Sequence, residues 1–410
     1  MPKSKESKLI VGLDIGTTKI VAIVGEVNAE GVIEVIGFGT APSRGLKRGV
    51  VVNIEATVQS IQRAIDEAEL MAGCKVNAVF VGIAGSHIRG MNSHGIVAIR
   101  SREVMSSDVD RVIDAAKAVA IPADQQIIHV LPQEFIIDNQ EGIREPIGMS
   151  GVRLESRVHM VTGSVSAAQN IVKCVRRCHL EVTDIILEQL ASSDAVLTDD
   201  ERELGVCLVD IGGGTTDIAI FADGAIRYTA VIPIAGDQVT NDIALALRTP
   251  TKAAEAIKIK YGCAMASFAN ANDLIEVPTV GERGGRHLSR RSLAEVIEPR
   301  YDEIFALIQA ELRRSGLEHL LTAGMVLTGG GAKIQGALDL AESIFQVPVR
   351  LGLPQNISGL PDVTHNPIYA TSVGLLVHGY RRQLLGQTDN MNSGGINMWS
   401  RMRQWFQGNL

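Results

Sequence analysis

One short motif occurs twice in this chain, as Val-Gly-Leu-Asp-Ile-Gly-Thr-Thr at 11–18 and as Cys-Leu-Val-Asp-Ile-Gly-Gly-Gly-Thr-Thr at 207–216. Each copy has an apolar β-strand pattern, an aspartate at the end of the strand, and then a turn of glycine and threonine. Glycine lets the backbone approach an anion closely and lets turn N–H groups point at it, so such turns can bind phosphate. Two copies therefore predict two lobes that hold one polyphosphate between them.

The two motifs supply candidate ligands for phosphate and for a metal ion. Asp14 and Asp210 are predicted to hold Mg²⁺, directly or through water, because Mg²⁺ prefers carboxylate oxygens and phosphates. A glycine-rich hairpin alone is usually a tight strand connection, but here the repeat continues into a third strand, which favours phosphate binding. The candidate phosphate-binding residues are Gly16, Thr17, Thr18 and Lys19 in the first copy and Gly212, Gly213, Gly214, Thr215 and Thr216 in the second.

Two further segments predict a surface for a base and a ribose. Gly329, Gly330 and Gly331 follow a buried strand pattern, and ligands of open α/β sheets bind at the carboxyl ends of strands. The alternative is a close packing turn between a strand and a helix. Glu255 and Lys258 lie three residues apart on one helical face, where they could contact the ribose or the purine edge; otherwise they form an ordinary surface ion pair. ATP is the predicted ligand.

Composition limits the class of protein. The net charge is −7, from 39 basic and 46 acidic residues, which disfavours binding of nucleic acid. No run approaches the roughly 18 apolar residues of a membrane-spanning helix. The five cysteines form an odd number, and the first residues lack an apolar signal core, so a cytoplasmic location is expected. The sequence also lacks the P-loop motif and the dinucleotide-binding Gly-x-Gly-x-x-Gly motif.

The predicted fold class is α/β, with two lobes that repeat a β-β-β-α-β-α order and each carry an inserted subdomain. The segment after the second lobe is polar and rich in glycine, which is typical of a linker. The predicted ranges are 1–83 and 162–203 for the first lobe, 84–161 for a first, α+β insertion, 204–232 and 301–385 for the second lobe, 233–300 for a second insertion, 386–395 for a flexible linker, and 396–410 for a final helix.

The final helix is predicted to be amphipathic. Its large apolar residues fall on one helical stripe, and it contains both tryptophans of the chain beside arginines. This pattern is typical of a helix that lies in the plane of a membrane, although a terminal helix that packs on its own core is the usual alternative. A coil linker of this length spans about 18 Å, which would hold the lobes close to the bilayer. The predicted membrane-binding residues are Met398, Trp399, Met402, Trp405 and Phe406.

The order of the motifs resembles the superfamily of actin, Hsp70 and sugar kinases, and three other segments resemble the FtsA family of bacterial cell-division proteins. The resemblance extends from about Lys8 to the last residue. It implies an actin-like two-lobe ATPase fold, ATP and Mg²⁺ as ligands, and a protein that self-associates at the cytoplasmic face of the inner membrane at the division site. The three segments are His129-Val-Leu-Pro-Gln-Glu-Phe, Glu141-Gly-Ile-Arg-Glu-Pro-Ile-Gly-Met-Ser-Gly-Val-Arg and Ala294-Glu-Val-Ile-Glu-Pro-Arg-Tyr.

The same resemblance implies the partners. The acidic C-terminal peptide of FtsZ is expected to bind the second insertion, which would anchor the FtsZ ring to the membrane. Other copies of the chain are expected to bind through the first insertion. Inner-membrane lipid and other division proteins are the remaining partners. Arg286, Arg290, Arg291 and Arg300 form a basic cluster in and beside the second insertion. A charge cluster is usually a solvated face, so only Arg300, which lies in the matching Glu-Pro-Arg-Tyr motif, is predicted to contact the peptide.

A small-molecule kinase of the same superfamily is the alternative function. It would need an acceptor pocket and a carboxylate base between the lobes, and no motif marks either. Gln133 and Glu134 lie in the first insertion and are interpreted as structural. No water-orienting residue can be named, so at most a weak ATPase is expected, with nucleotide acting mainly as a switch for assembly.

Overall fold

The structure is a computed structural model that describes residues 9–28, 30–278 and 285–391. The final segment 396–410, with its five predicted membrane-binding residues, lies outside these ranges. The strands are β1 (Leu9–Ile15), β2 (Lys19–Val27), β3 (Ile33–Pro42), β4 (Leu46–Lys47), β5 (Val50–Val51), β6 (Ala78–Ile83), β7 (Arg89–Ala98), β8 (Gln125–Ile137), β9 (Gln140–Ile143), β10 (Arg153–Ser164), β11 (Glu181–Leu187), β12 (Val206–Ile211), β13 (Thr216–Ala222), β14 (Ala225–Ile232), β15 (Leu274–Val277), β16 (Arg286–Ser289), β17 (Met325–Thr328), β18 (Val349–Leu351) and β19 (Ile357–Gly359).

Helices connect and cover these strands. The α-helices are α1 (Ile54–Ala72), α2 (Ser106–Lys117), α3 (Val165–Arg177), α4 (Glu188–Val196), α5 (Asp199–Leu204), α6 (Gly236–Leu247), α7 (Thr251–Tyr261), α8 (Arg290–Ser315), α9 (Ala337–Phe345), α10 (Pro361–Thr364) and α11 (Ala370–Met391). Among the described residues, none of the helices has the length and apolar character needed to cross a bilayer.

Two sheets with the same plan form the two lobes. The first has the strand order β11-β6-β1-β2-β3-β19, and the second has the order β14-β13-β12-β17-β18. In each lobe the strand of the repeated motif, β1 or β12, pairs antiparallel with the next strand and parallel with a strand from later in the chain. The repeat in sequence is therefore a repeat in topology, and both motif aspartates lie near the carboxyl ends of equivalent central strands.

Local sequence explains where the helices of the first lobe begin and end. The side chain of Asn53 accepts a hydrogen bond from the Ala56 N–H and caps α1, and Gly73 ends the helix at φ +65°. Ile61 and Ile65 lie on one face of α1 and are buried against the sheet.

The first insertion forms its own four-stranded sheet, ordered β7-β10-β8-β9. Val109 and Val112 of α2 pack with Phe135 and Leu154 in a separate core. Strand β10 pairs with both neighbours and continues to Ser164, past the predicted boundary at 161. The boundary cannot be read from the sequence because the apolar pattern of this strand does not change where the insertion meets the lobe.

The second insertion contains α6, α7, the β15–β16 hairpin and the first turns of α8. Helix α8 continues from Arg290 to Ser315, so the predicted boundary at 300/301 falls inside one helix that contains Pro299. Leu293, Ile297 and Ile304 are fully buried on one stripe that spans the proline, and this burial holds the helix together.

The chain returns to the first lobe at its end, which differs from the prediction that residues up to 385 belong to the second lobe. Strand β19 pairs with β3, and Val373 and Leu376 of α11 are buried in the first core. Gly374 allows this, since a Cβ there would overlap the Ala191 carbonyl of α4. Helix α11 also runs to Met391, so residues 386–391 of the predicted linker are helical.

Candidate functional site

A cleft of about 570 Å³ lies between the two lobes. Both copies of the motif open into it, and so do the second insertion and the turn after β17. Thr216 does not: it is fully buried, and its hydroxyl donates to the Ile234 carbonyl at 2.7 Å. The predicted site residues that line the cleft are Asp14, Gly16, Thr17, Thr18, Lys19, Asp210, Gly212, Gly213, Gly214, Thr215, Glu255, Lys258, Gly329, Gly330 and Gly331.

The two motif turns touch each other across the cleft. A Cβ on Gly213 would overlap the Thr18 hydroxyl and lie 2.9 Å from Thr18 Cβ, and a Cβ on Gly214 would lie 2.6 Å from Thr17 Oγ1. Thr18 also donates a hydrogen bond of 3.3 Å to Asp237 at the start of α6. The second turn therefore needs glycine for close approach of the lobes as well as for any anion.

Hydroxyl groups hold the two motif aspartates in place. Asp210 accepts hydrogen bonds from Ser192 at 2.6 Å and from Thr371 at 3.2 Å, and Asp14 accepts one from Ser372 at 3.2 Å. Two of these donors, Thr371 and Ser372, lie at the start of α11, so this helix contacts the motif aspartates of both lobes.

Burial raises the pKa values of both carboxyls. The pKa of Asp14 rises to about 6, although Lys19 opposes the change, and the pKa of Asp210 also rises. A divalent cation would favour their ionised forms. No group of three or more potential ligands within the described ranges can hold a metal ion by itself. A cation at this site would therefore depend on phosphate and water for the rest of its coordination, as Mg²⁺ commonly does.

Lys19 lies at the base of the cleft. Its Nζ donates a hydrogen bond of 2.7 Å to the Ile368 carbonyl and lies 4.3 Å from the centre of the Tyr369 ring. Burial lowers its pKa to about 8, with Asp14 and Asp210 opposing the shift. The ammonium group is thus positioned by the chain before any ligand arrives.

Two acidic residues of the cleft were missed by sequence reasoning. Glu188 begins α4 directly after β11, and burial raises its pKa well above the usual range, with Asp14 adding to the effect. Asp217 follows the second motif, and burial together with Asp210 raises its pKa to about 7. Carboxylates therefore do lie between the lobes, although no motif marked them. The signal was the position of Glu188 at a strand end.

The opposite wall is made by the second insertion and the glycine turn. Glu255 and Lys258 form an ion pair of 2.7 Å, and Lys258 also donates to the Gly236 carbonyl at 3.0 Å. Gly329 has φ +83°, and a Cβ on Gly331 would lie 3.0 Å from Ile211 Cβ. The glycines thus pack closely on β12, as the packing-turn alternative expects, and they also line the cleft, while their contact with a base and ribose stays a prediction.

The four arginines of the basic cluster do not form one free surface. Arg290 lines the cleft, Arg286 donates to the Leu247 carbonyl at 2.5 Å, and Arg291 lies 3.7 Å from Glu295. Arg300 makes a two-point contact with Asp242, at 2.6 and 3.0 Å, and also pairs with Glu303. Its guanidinium is therefore already held within the second insertion.

Comparison with known proteins identifies the family. The family model described as cell division protein FtsA matches residues 207–374, and the model of the SHS2 domain inserted in FtsA matches residues 85–162. A cell division protein FtsA from Pseudomonas aeruginosa is 65% identical over 417 residues, covering 100% of each chain. That from Escherichia coli (strain K12) is 47% identical over 417 residues and covers 99% of each chain.

The chain belongs to the FtsA family of cell-division proteins. Solved structures confirm the actin-like two-lobe fold. A PilM–PilN type IV pilus biogenesis complex has a TM-score of 0.63 at 17% identity, covering 90% of this chain and 98% of that chain. MreB5 of Spiroplasma citri bound to AMPPNP has a TM-score of 0.56 at 17% identity, covering 94% of this chain and 98% of that chain. At these identities the likeness concerns the fold alone.

The inserted subdomain of this family member docks on the second lobe. His159 Nδ1 lies 2.7 Å from Asn92 Oδ1, and its Nε2 lies 2.8 Å from the Thr229 hydroxyl of β14. Gln133 donates to the Ile226 carbonyl at 2.9 Å, which agrees with its interpretation as structural. Glu134 pairs with Arg157 at 2.6 Å. The first insertion, which is joined to the first lobe at both of its ends, therefore also contacts the second lobe.

Proposed function

We propose that this chain binds ATP with Mg²⁺ in the cleft between its lobes and uses the nucleotide mainly as a switch for assembly. The observation that carries the proposal is the convergence of both motif turns, one from each lobe, on a single cleft. Turn N–H groups beside glycine suit phosphate oxygens, and Lys19 supplies a positioned positive charge. MreB5 of Spiroplasma citri, which shares the fold, binds AMPPNP in its solved structure, and this supports the assignment.

The buried carboxylates fit a hydrated Mg²⁺. Asp14 and Asp210 would hold it through water, since the hydroxyls of Ser372, Ser192 and Thr371 already orient their oxygens. The ion would supply charge neutralisation for the phosphates. Replacing Asp210 by alanine is expected to abolish binding of fluorescent ATP in the presence of Mg²⁺. Affinity equal to that of the unaltered chain would reject the site.

Glu188 is our candidate for the group that orients water in a weak ATPase. It is buried in the cleft beside the two motif aspartates, and its raised pKa makes it a stronger base than an exposed carboxylate when it is ionised. Asp217 is less suited, because its carboxylate already accepts hydrogen bonds from Thr215 at 2.8 Å and from Gln189 at 2.9 Å.

The final segment 396–410 is proposed to anchor the chain to the inner face of the cytoplasmic membrane. Its apolar stripe with two tryptophans supports an interfacial helix. Trp399→Glu and Trp405→Glu should each release the chain from anionic liposomes in co-sedimentation, with ATP affinity unchanged. If either variant still sediments with liposomes, or loses ATP, the segment packs on the lobes instead.

The FtsZ C-terminal peptide is proposed to bind the second insertion near Arg300. Because Asp242 already holds the guanidinium, an acidic peptide would have to share or replace that contact. Arg300→Glu should therefore weaken binding by about 2–5 kcal/mol if the contact is buried and hydrogen-bonded. Arg291→Glu is the matched control, since Arg291 is more exposed than Arg300 and its ion-pair contact with Glu295 is long, at 3.7 Å.

Self-association is proposed to use the first insertion, with other copies of the chain and other division proteins as further partners. The support is its separate sheet and core, which leave the insertion's outer surface available. Sedimentation of the full chain with ATP and with ADP tests whether nucleotide controls filament formation. Equal sedimentation with both would reject the assembly switch.

A further inference from the structure

The ends of several strands and helices lie at one edge of the first sheet. Strands β1, β6 and β11 are parallel and begin at this edge, where Glu181 pairs with Ala78. Helix α3 ends at Arg177, just before β11 begins, so its last turn lies at the same edge. We call this edge, with the last turns of α3, the starting edge.

Helix α11 runs from the cleft to the starting edge. Near its beginning, Ser372 contacts Asp14 at the carboxyl end of β1. Near its end, Gln383 Nε2 donates to the carbonyl of Leu9, the first residue of β1, at 3.5 Å, and Arg382 pairs with Asp184 of β11. The segment proposed as a membrane anchor follows this helix, and the first residues of the chain join β1 here as well. Both chain ends therefore connect to the starting edge, far from the cleft.

The starting edge carries positive charge that the fold does not use. Lys173 and Arg176 are exposed, and neither makes an ion pair or hydrogen bond with any residue that the structure describes. Together with Arg177, which pairs with Glu55, they line a concavity of about 590 Å³. Residues 1–8 add three lysines and one glutamate to the chain that leaves this edge.

Ordinary helix chemistry accounts for only part of this pattern. Cations are favoured in the last turn of a helix by its dipole, so Arg176 and Arg177 alone would be unremarkable on a solvated face. However, the whole chain has a net charge of −7, and Lys173 and Arg176 are exposed cations without a described partner at the edge to which both chain ends connect. A surface held close to an anionic bilayer by an adjacent anchor would benefit from this placement.

We propose that the starting edge faces the membrane and that Lys173 and Arg176 contact the phosphate groups of anionic lipids. This rests on the proposed anchoring by 396–410. A single amphipathic helix leaves the orientation of the attached lobes undefined, whereas a second, electrostatic contact fixes it. In that orientation the nucleotide cleft lies at the opposite end of the lobe from the bilayer and stays open to the cytoplasm.

The test compares vesicles of phosphatidylglycerol with vesicles of phosphatidylcholine, using the full chain. The double variant Lys173→Gln/Arg176→Gln should bind the anionic vesicles about 25-fold more weakly at low salt, at about five-fold for each cation. The difference should vanish at high salt and on the neutral vesicles. Lys252→Gln/Arg291→Gln removes the same charge from the second insertion and should bind like the unaltered chain.

Three outcomes overturn the proposal. The first is anionic-vesicle affinity of the double variant equal to that of the control, with unchanged ATP binding and melting temperature. The second is a loss of affinity for a labelled glutamate-rich peptide with vesicle binding intact, which would make the starting edge a site for an acidic protein segment. The third is equal weakening on neutral vesicles. Failure of the anchor itself is detected separately with Trp399→Glu, in which Lys173 and Arg176 are intact. If 396–410 is not an anchor, this variant binds vesicles as tightly as the unaltered chain.

Discussion

The contact between Gly213 and Thr18 allows a direct test of lobe closure. In Gly213→Ala the new methyl group would lie 2.9 Å from Thr18 Cβ and overlap its hydroxyl. Overpacking of this kind costs about 1–3 kcal/mol. The two turns belong to different lobes, so the strain falls on the closed arrangement and not on the folding of either lobe. If ATP binds the closed arrangement, its affinity should fall by about 5- to 150-fold.

Titration of fluorescent ATP in the presence of Mg²⁺ measures this loss. Thr18→Gly alone should lose about 1 kcal/mol with the hydrogen bond to Asp237, in addition to any contact of Thr18 with phosphate. Adding Gly213→Ala to Thr18→Gly creates no overlap, so the double variant should bind ATP as tightly as Thr18→Gly alone. Gly212→Ala is the control, because its Cβ meets only the Thr215 carbonyl of its own turn, at 3.1 Å. Unchanged affinity in Gly213→Ala would refute the closure argument. Weaker binding by the double variant than by Thr18→Gly alone would place the effect in the anion-binding turn itself.

Two further predictions follow from buried titratable groups. Glu188→Gln should stop release of phosphate from ATP while ATP affinity stays equal, because the amide keeps the size of the side chain but cannot act as a base; a loss of affinity would make Glu188 a binding residue. Burial lowers the pKa of His159 to about 4, so the neutral ring contributes stability above pH 6.5 that is lost as pH falls toward 4, up to about 3 kcal/mol. Urea unfolding of His159→Gln should lack this component, and parallel pH curves for the two chains would contradict it.

The fold and most of the site could be predicted because their signals are local. A strand that ends in aspartate and continues into glycine and threonine specifies a turn within a few residues, and its repetition specifies two equivalent lobes. Fifteen of the predicted cleft residues accordingly line one cleft. Thr216 does not line the cleft, for an equally local reason: it begins β13, and its side chain points into the lobe, where its hydroxyl donates to the Ile234 carbonyl.

Only the tertiary structure decided which distant groups complete the site. Asp14 and Ser372 are 358 positions apart, and Asp210 and Thr371 are 161 apart, so no window of sequence relates them. An apolar helix pattern shows that α11 is buried on one side but does not show which sheet it covers. That choice depends on the close approach at Gly374 and on pairing across the whole chain. The motif turns and the repeat were determined by the sequence alone. The return of the last helix to the first lobe and the raised pKa of Glu188 arise from packing and burial, which are properties of the folded chain.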